Sequence, residues 1–206
     1  MQAASDSITS IAELEALYAP VNPTAILKEI DHINAEYAKF IEAAPFVILS
    51  TVGPEGLDCS PRGDPAGFVR VADPKTLLIP DRKGNNRVDS LRNIVRDPRI
   101  ALLFLIPGIG NTMRVNGRAT LVTDKALCGS FAMRGNPPLS VIRVSVESAY
   151  PQCPKALVRS RLWDASTQIE RSALPSTGAM MKAIDPAFDA AAYEAEYPAR
   201  MERTIY

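Results

Sequence analysis

The chain has 206 residues, of which 47% are hydrophobic and 22% are charged, a composition that excludes a disordered or collagen-like protein. A chain of this length favours one domain whose core is large enough to be stable without disulfide bonds. The net charge of zero hides a layout of −7 over residues 1–60, +10 over residues 61–163 and −3 over residues 164–206. A basic middle between acidic ends favours a small anionic ligand such as a phosphate ester.

The cellular compartment is suggested by the cysteines and by missing targeting signals. Cys59, Cys128 and Cys153 are an odd number without paired spacing, which is typical of a reducing compartment. No apolar run reaches the roughly 18 residues of a membrane helix. Residues 1–6 show neither the basic nor the apolar part of a secretory signal. We therefore expect a cytoplasmic protein that does not bind membranes.

The first 44 residues predict a helical extension. Ser10 and Glu13 form a capping-box pattern, which predicts a short helix through Tyr18. Asn22 and Pro23 then predict the start of a second helix. Apolar residues recur along this segment at helical spacing, which predicts one buried stripe up to about Ala44: Ile26, Ile30, Ile33, Tyr37, Phe40 and Ile41.

Strand patterns begin after Pro45. Residues 46–52 and 57–60 predict a hairpin around the turn at residues 53–56, and residues 67–71 and 76–79 predict a second hairpin. A polar loop at residues 81–86 precedes a predicted helix over residues 88–95.

The second half of the chain predicts three longer strands. Residues 99–106 are apolar on both faces, as in a central strand, and residues 113–123 predict a strand that bulges at Gly117. A helix over residues 125–133 and a strand over residues 139–149 follow. Six or seven strands with few helices predict a mainly β (α+β) fold, an antiparallel barrel rather than a doubly wound sheet, followed by a partly helical tail over residues 164–206.

The first candidate site is Ser60-Pro-Arg-Gly-Asp64, at the end of a predicted strand. Pro61 stops the pairing of that strand and Gly63 permits close backbone approach, so Arg62 is expected on a fixed, irregular edge. An ordinary strand end would show the same pattern.

The second candidate is the loop Pro80-Asp-Arg-Lys-Gly-Asn-Asn-Arg87, which leads into a helix. Basic side chains are unfavourable at a helix N-terminus unless an anion lies there, and free N–H groups at that end bind phosphate. We therefore prefer a phosphate site to a solvated loop. The Gly-Lys-Ser/Thr sequence of nucleotide triphosphatases is missing, which argues against that class.

The third candidate is the segment from Tyr150 to Trp163. Cys153 lies between two prolines and close to Lys155, which could lower the pKa of its thiol, or it could simply be buried. The single histidine, His32, falls in the predicted N-terminal helices, so neither a Cys–His nucleophile nor a histidine zinc site is expected, and we predict no metal. Trp163 could pack in the core or stack on a planar ligand.

Taken together, these segments resemble the pyridoxamine 5′-phosphate oxidase-like family of FMN-binding split barrels over about residues 45–163. The resemblance rests on residues 46–56, Cys59-Ser-Pro-Arg-Gly-Asp64, residues 79–91, residues 97–104, Arg114-Val-Asn-Gly117 and Gln152-Cys-Pro-Lys155. The family implies a homodimer with FMN at the subunit interface.

The resemblance also implies roles for individual residues. Ser60, Arg62 and Gly63 would lie along the isoalloxazine ring, with Arg62 stabilising reduced flavin, while Pro80 and Asp81 would flank the ring and ribityl chain. The phosphate would be held by Arg82, Lys83, Asn86 and Arg87. From the partner subunit, the ring would be closed by Gln152, Arg159 and Trp163.

The vitamin B6 oxidase itself needs an arginine and a histidine near its C-terminus, and this chain has no histidine after residue 32. We therefore expect another branch of the family, acting as an FMN-dependent oxidoreductase between a small electron donor and an acceptor. A flavin carrier or sensor without turnover is the main alternative. A nucleic-acid-binding barrel is a distant one, because few aromatic residues lie among the arginines.

Overall fold

The computed structural model describes residues 7–206. Residues 1–6, on which the expected absence of a secretory signal rests, lie outside the described residues. No helix over residues 7–206 is both long and apolar enough to cross a membrane.

The first helix, α1 (Ile11–Leu17), starts at the predicted capping box. The backbone N–H of Glu13 donates to Ser10 Oγ at 3.3 Å, and the N–H of Ser10 donates to Glu13 Oε2 at 3.1 Å. These two bonds satisfy donors that a helix start otherwise leaves free. The prediction of this short helix is confirmed.

The predicted second helix is wrong in its length, because two helices occupy the segment. Helix α2 (Pro23–Leu27) stops before Ile30, whose N–H and C=O groups pair with Ala149 at 3.1 and 2.7 Å. Helix α3 (Ala35–Ala43) starts afresh where Asn34 Oδ1 accepts from the N–H of Tyr37. This strand-like pairing replaces the helical bonds that the apolar spacing predicted, and it leaves Ile26 exposed.

Seven strands form one antiparallel sheet. Numbered along the chain, the strands are β1 (Phe46–Gly53), β2 (Gly56–Gly63), β3 (Arg70–Asp73), β4 (Thr76–Pro80), β5 (Arg99–Leu105), β6 (Thr112–Val122) and β7 (Val141–Gln152). Their order across the sheet is β2-β1-β5-β6-β7-β4-β3. The sheet and the helices packed on it make an α+β split barrel, which confirms the predicted fold class.

The bulge in β6 lies where the glycine predicted it. The pairing of β6 with β7 shifts register between Asn116 and Gly117. A Cβ atom at Gly117 would lie 2.1 Å from the carbonyl oxygen of Ser145, so no other residue fits this close backbone approach without a shift.

Two helices lie between the strands. Helix α4 (Asp89–Arg96) follows the polar loop as predicted and packs against β1. Helix α5 (Lys125–Ser130) is shorter than the predicted helix over residues 125–133. It ends there because Met133 and Asn136 pair around a tight turn in which Arg134 and Gly135 both have positive φ.

The core lies between the sheet, α3 and α4. Its largest fully buried side chains include Ile41, Leu49, Leu77, Phe104 and Met113. The tail carries α6 (Lys155–Ser160), α7 (Thr177–Ile184) and α8 (Ala190–Thr204), with two short 3₁₀ turns between α6 and α7. Helices α7 and α8 are joined by the Gly178 N–H, which donates to Glu194 Oε1 at 2.6 Å.

Candidate functional site

Strand β2 stays paired with β1 through Pro61, Arg62 and Gly63, so the prediction that Pro61 stops the pairing is wrong. The reason is that β2 is an edge strand, where a proline is tolerated.

Strand β2 presents a row of polar side chains on one face. Side chains alternate between the two faces of a strand, so every second residue of β2 and the residue just after it lies on the same side. That row is half-buried, whereas the residues between its members are exposed. We call it the β2 face, and it consists of Asp58, Ser60, Arg62 and Asp64.

The near end of the β2 face is joined to α4. Both Ser60 Oγ and Ser90 Oγ donate to Asp58 Oδ2, at 3.2 and 2.7 Å. Ser90 is buried in the first turn of α4. Through these two bonds, Asp58 holds Ser60 beside the start of α4. Ser60 is one of the residues predicted to contact the flavin ring, and α4 is the helix that follows the predicted phosphate loop.

The far end of the β2 face is joined to the residues that follow β4. Arg82 Nε donates to Asp64 Oδ2 at 2.6 Å, and Arg82 Nη1 donates to the carbonyl oxygen of Phe131, also at 2.6 Å. The Asp64 side chain is only 2% exposed and that of Arg82 is 16% exposed. Two of the three guanidinium nitrogens of Arg82 thus bond within the subunit, and its predicted contact with a phosphate stays a prediction.

Between these two ends lies Arg62, which has an unusual environment. Its Nη1 donates to the neighbouring Pro61 carbonyl at 3.0 Å. Among the buried side-chain nitrogens and oxygens of residues 7–206, the Nε of Arg62 is the one without a hydrogen-bond partner. A buried donor without a partner costs about 1–3 kcal/mol, so this group calls for an acceptor.

Asp81 lies close to Arg62 and is partly buried as well. Its backbone N–H donates to the carbonyl of Ser140 at 3.0 Å, next to Pro80, which is buried and paired with Val141. Burial raises the pKa of the Asp81 carboxyl above its usual value of 3.8, and the nearby positive charge of Arg62 offsets part of this rise. The structure thus brings Arg62 close to Pro80 and Asp81. We call the region where the β2 face meets Pro80, Asp81 and Arg82, at the end of β4, the seam between β2 and β4.

Replacing Asp81 by asparagine tests this environment through pH. Because the folded protein holds the Asp81 proton more tightly than the unfolded chain does, this group contributes stability at low pH that is lost as pH rises above 3.8. The Asp81→Asn variant should therefore gain stability relative to the wild type between about pH 4 and about pH 7, measured by urea unfolding.

Asp97→Asn is the matched control with the opposite sign. The side chain and backbone N–H of Arg99 hold the pKa of Asp97 down at about 2, so its contribution is present above 3.8 and lost as pH falls. That variant should be less stable than the wild type by a nearly constant amount between about pH 4 and about pH 7, and this difference should shrink as pH falls from about 4 to about 2. Equal pH profiles for Asp81→Asn and the wild type would contradict the burial of this carboxyl.

Residues 83–87 of the predicted phosphate loop are exposed, and the backbone at their end is strained. Asn85 Oδ1 accepts from the Arg87 N–H at 3.0 Å, and Arg87 Nε donates to Asp89 Oδ2 at 2.8 Å. Asn86 and Val88 have φ of 60° and 53°, a conformation that is costly for the β-branched Val88. No side chain caps α4. Lys83, Asn86 and Arg87 thus lie exposed beside the uncapped helix start, as a phosphate site requires.

The last three predicted residues lie elsewhere in the subunit. The Gln152 carbonyl accepts from Asn111 at the end of β7, and Trp163 Nε1 donates to the Ile109 carbonyl at 2.8 Å. Strand β7 runs from Val141, beside Pro80, to Gln152, a span of 12 residues or about 36 Å when extended. Within one subunit, Gln152, Arg159 and Trp163 are therefore not brought to the seam.

Several side chains that hold the seam together, those of Asp58, Asp64, Ser90 and Tyr206, have no role among the sequence-based predictions. The period-two spacing of Asp58 and Asp64 with Ser60 and Arg62 is a signal that could have placed both carboxylates on the β2 face. No local signal points to Ser90, Phe131 or Tyr206, whose contacts join distant parts of the chain.

Two grooves on the surface differ from the predicted site. One of about 320 Å³ lies between α4 and β6, and one of about 250 Å³ lies beside the ends of β1 and β5. Neither groove is lined by a residue of the predicted flavin site.

A comparison with protein families matches residues 33–153 to the family described as pyridoxamine 5′-phosphate oxidase. The match spans more than half of the chain and includes the β2 face, the phosphate loop and β7. This protein therefore belongs to the pyridoxamine 5′-phosphate oxidase family.

Several solved structures show a distant similarity to this chain. HupZ of Group A Streptococcus is 20% identical with a TM-score of 0.48 and covers 59% of this chain and 94% of its own. General Stress Protein 26 of Bacillus anthracis is 16% identical with a TM-score of 0.43, covering 55% and 88%. An FMN-binding protein of Syntrophomonas wolfei is 10% identical with a TM-score of 0.43, covering 62% and 90%. No curated protein matches the chain.

Proposed function

We propose that this protein is a cytoplasmic, homodimeric flavoprotein that binds FMN at the seam between β2 and β4 and works as an FMN-dependent oxidoreductase. The observation that carries the proposal is the buried Nε of Arg62, which has no partner and lies beside loop residues suited to a phosphate. The pyrimidine edge of a flavin offers the carbonyl oxygens that such a donor needs. Membership of the pyridoxamine 5′-phosphate oxidase family supports the same ligand.

The residues of the seam divide into those that meet the ring and those that meet the phosphate. Ser60, Arg62 and Gly63 would contact the isoalloxazine ring, and Pro80 and Asp81 would flank the ring and ribityl chain. Lys83, Asn86, Arg87 and the free N–H groups of α4 would hold the phosphate. Arg82 would add charge there from its buried position, while its bonds to Asp64 and Phe131 fix the loop.

Bound FMN would supply the redox chemistry by accepting a hydride at N5 from a small donor and passing electrons to an acceptor. The chain contributes orientation and charge. The positive charge of Arg62, held in a partly buried site, favours the extra negative charge of a reduced flavin more than water would. Asp81 lies close enough to this charge that Arg62 offsets part of the rise in the Asp81 pKa that burial causes.

A second subunit completes the proposed site. Gln152, Arg159 and Trp163 lie at the far end of β7 from the seam, so each subunit would lend them to the partner's flavin. Trp163 is 37% exposed, which leaves part of its ring accessible for this contact.

The test is the visible absorption of the purified protein and of the material released by heat. We expect a two-banded flavin spectrum, release of FMN identified by mass, and a hydrodynamic mass of two chains. A colourless protein that does not quench the fluorescence of added FMN would overturn the site, and a monomeric flavoprotein would overturn the shared one.

Stopped-flow reduction then separates an enzyme from a carrier. An oxidoreductase should let a reduced nicotinamide or another small donor bleach bound FMN faster than it bleaches free FMN. If every donor reduces the bound flavin no faster than the free flavin, the protein binds flavin without turning over.

A further inference from the structure

The tail of the chain returns to the seam through a single aromatic residue. Beyond α8, the hydroxyl of Tyr206 donates to Asp64 Oδ1 at 2.7 Å. The other oxygen of the same carboxylate, Oδ2, accepts from Arg82 at 2.6 Å. Asp64 thus links three parts of the chain: the end of β2, the residues after β4, and the tail.

The ring of Tyr206 is held by two cations as well. The guanidinium carbon of Arg82 lies 5.7 Å from the ring centroid, and that of Arg134 lies 5.3 Å from it. Both distances are within the range of cation–π attraction. Arg134 occupies the tight turn between Met133 and Asn136 with a φ of 50°, so its backbone is fixed beside the ring.

In its contact with Asp64, the hydroxyl of Tyr206 acts as a hydrogen-bond donor. The hydrogen bond to the Asp64 carboxylate raises the pKa of Tyr206 above its usual value of 10, so the hydroxyl stays protonated near neutral pH. A hydrogen bond to a charged acceptor is stronger than one between neutral groups. Tyr206 therefore gives the Asp64 carboxylate a second hydrogen bond beside the one from Arg82.

We propose that Tyr206 is a positioning residue for the flavin site, a latch that holds the phosphate loop against the β2 face through Asp64 and Arg82. This inference rests on the proposed function and adds to it a residue that lies 142 positions from Asp64. Arg82 adjoins Asp81 and Lys83, so freeing Asp64 from Tyr206 loosens both the ring side and the phosphate side of the loop. The expected consequence is faster release of FMN.

Two substitutions divide the latch into its parts. Tyr206→Phe keeps the ring near Arg82 and Arg134 but removes the hydroxyl, and Tyr206→Leu removes both contacts. The matched control is Tyr197→Leu, because Tyr197 is a half-exposed tyrosine of α8 that contacts Tyr193 and Arg200 rather than the seam. Flavin fluorescence gives the association and dissociation rates of FMN, and amide hydrogen exchange reports the docking of residues 190–206 without flavin.

We expect Tyr206→Phe to release FMN about tenfold faster than the wild type, the change that corresponds to about 1.4 kcal/mol. Tyr206→Leu should release it faster still and should lose exchange protection at the end of the tail. Association rates should stay within about twofold, and Tyr197→Leu should match the wild type, because a latch acts on release.

The measured release rates of FMN either support or contradict the proposed role of Tyr206. If the wild type binds FMN and both Tyr206 variants release it at the wild-type rate, the latch is wrong and the flavin site stands. Equal acceleration by Tyr197→Leu would likewise overturn it, as a general effect of the tail. If the wild type does not bind FMN at all, the proposed function fails and the latch fails with it.

Discussion

The Arg82→Leu variant is expected to lower the free energy of unfolding by about 3 kcal/mol. The reason is Asp64, whose side chain is 2% exposed and would stay buried without the cation that now lies 2.6 Å away. The Phe131 carbonyl would lose its donor as well. Urea unfolding of the protein without flavin measures this loss separately from any effect on ligand binding.

Two further variants show whether the loss comes from the unpaired charge. Arg99→Leu removes an arginine that is 65% exposed and paired with Asp97, so it should cost far less stability than Arg82→Leu. The double variant Asp64→Leu with Arg82→Leu should recover much of the lost stability, because replacing both members of a buried pair leaves no charge behind. A double variant as unstable as Arg82→Leu would contradict this explanation.

Arg62→Met is expected to weaken FMN binding by at least about tenfold, since it removes a charged donor from the proposed ring site. Methionine is unbranched and flexible, so it can fill much of the same space. The unfolding free energy of the flavin-free protein should change by less than about 1 kcal/mol, because loss of an unpaired buried donor offsets loss of the charge beside Asp81.

This combination of weak binding and unchanged stability is the signature of a residue kept for its ligand. Titration of FMN by fluorescence quenching gives the affinity, and thermal unfolding of the flavin-free protein gives the stability. Arg118→Met is the control, because Arg118 is an exposed arginine of β6, and it should alter neither quantity. An unchanged FMN affinity in Arg62→Met would remove Arg62 from the site.

Much of the fold follows from local patterns in the sequence. Alternation and turn residues predict the β1–β2 hairpin, the capping box predicts the start of α1, and Gly117 predicts the bulge in β6. Each of these features depends on residues close together in the chain, so the local pattern and the folded structure agree.

The errors arise where distant parts of the chain meet. The helical spacing from Ile26 to Ile41 could not reveal that Ile30 pairs with Ala149, and that pairing divides the predicted helix. The same is true of the site. The phosphate loop is visible in the sequence, but the bonds that hold it, from Arg82 and Tyr206 to Asp64, cross 18 and 142 positions and leave no local pattern.

The length of β7 has a consequence for mixed dimers. Its two ends place Pro80 and Asp81 far from Gln152 and Trp163. In the proposed dimer, each chain would therefore supply the seam of one flavin site and the Gln152 and Trp163 side chains of the other site. A chain damaged at Arg62, paired with a chain damaged at Trp163, would combine both lesions in one site and leave the other site whole. Two inactive parents would therefore complement each other, with half of the sites in each mixed dimer restored.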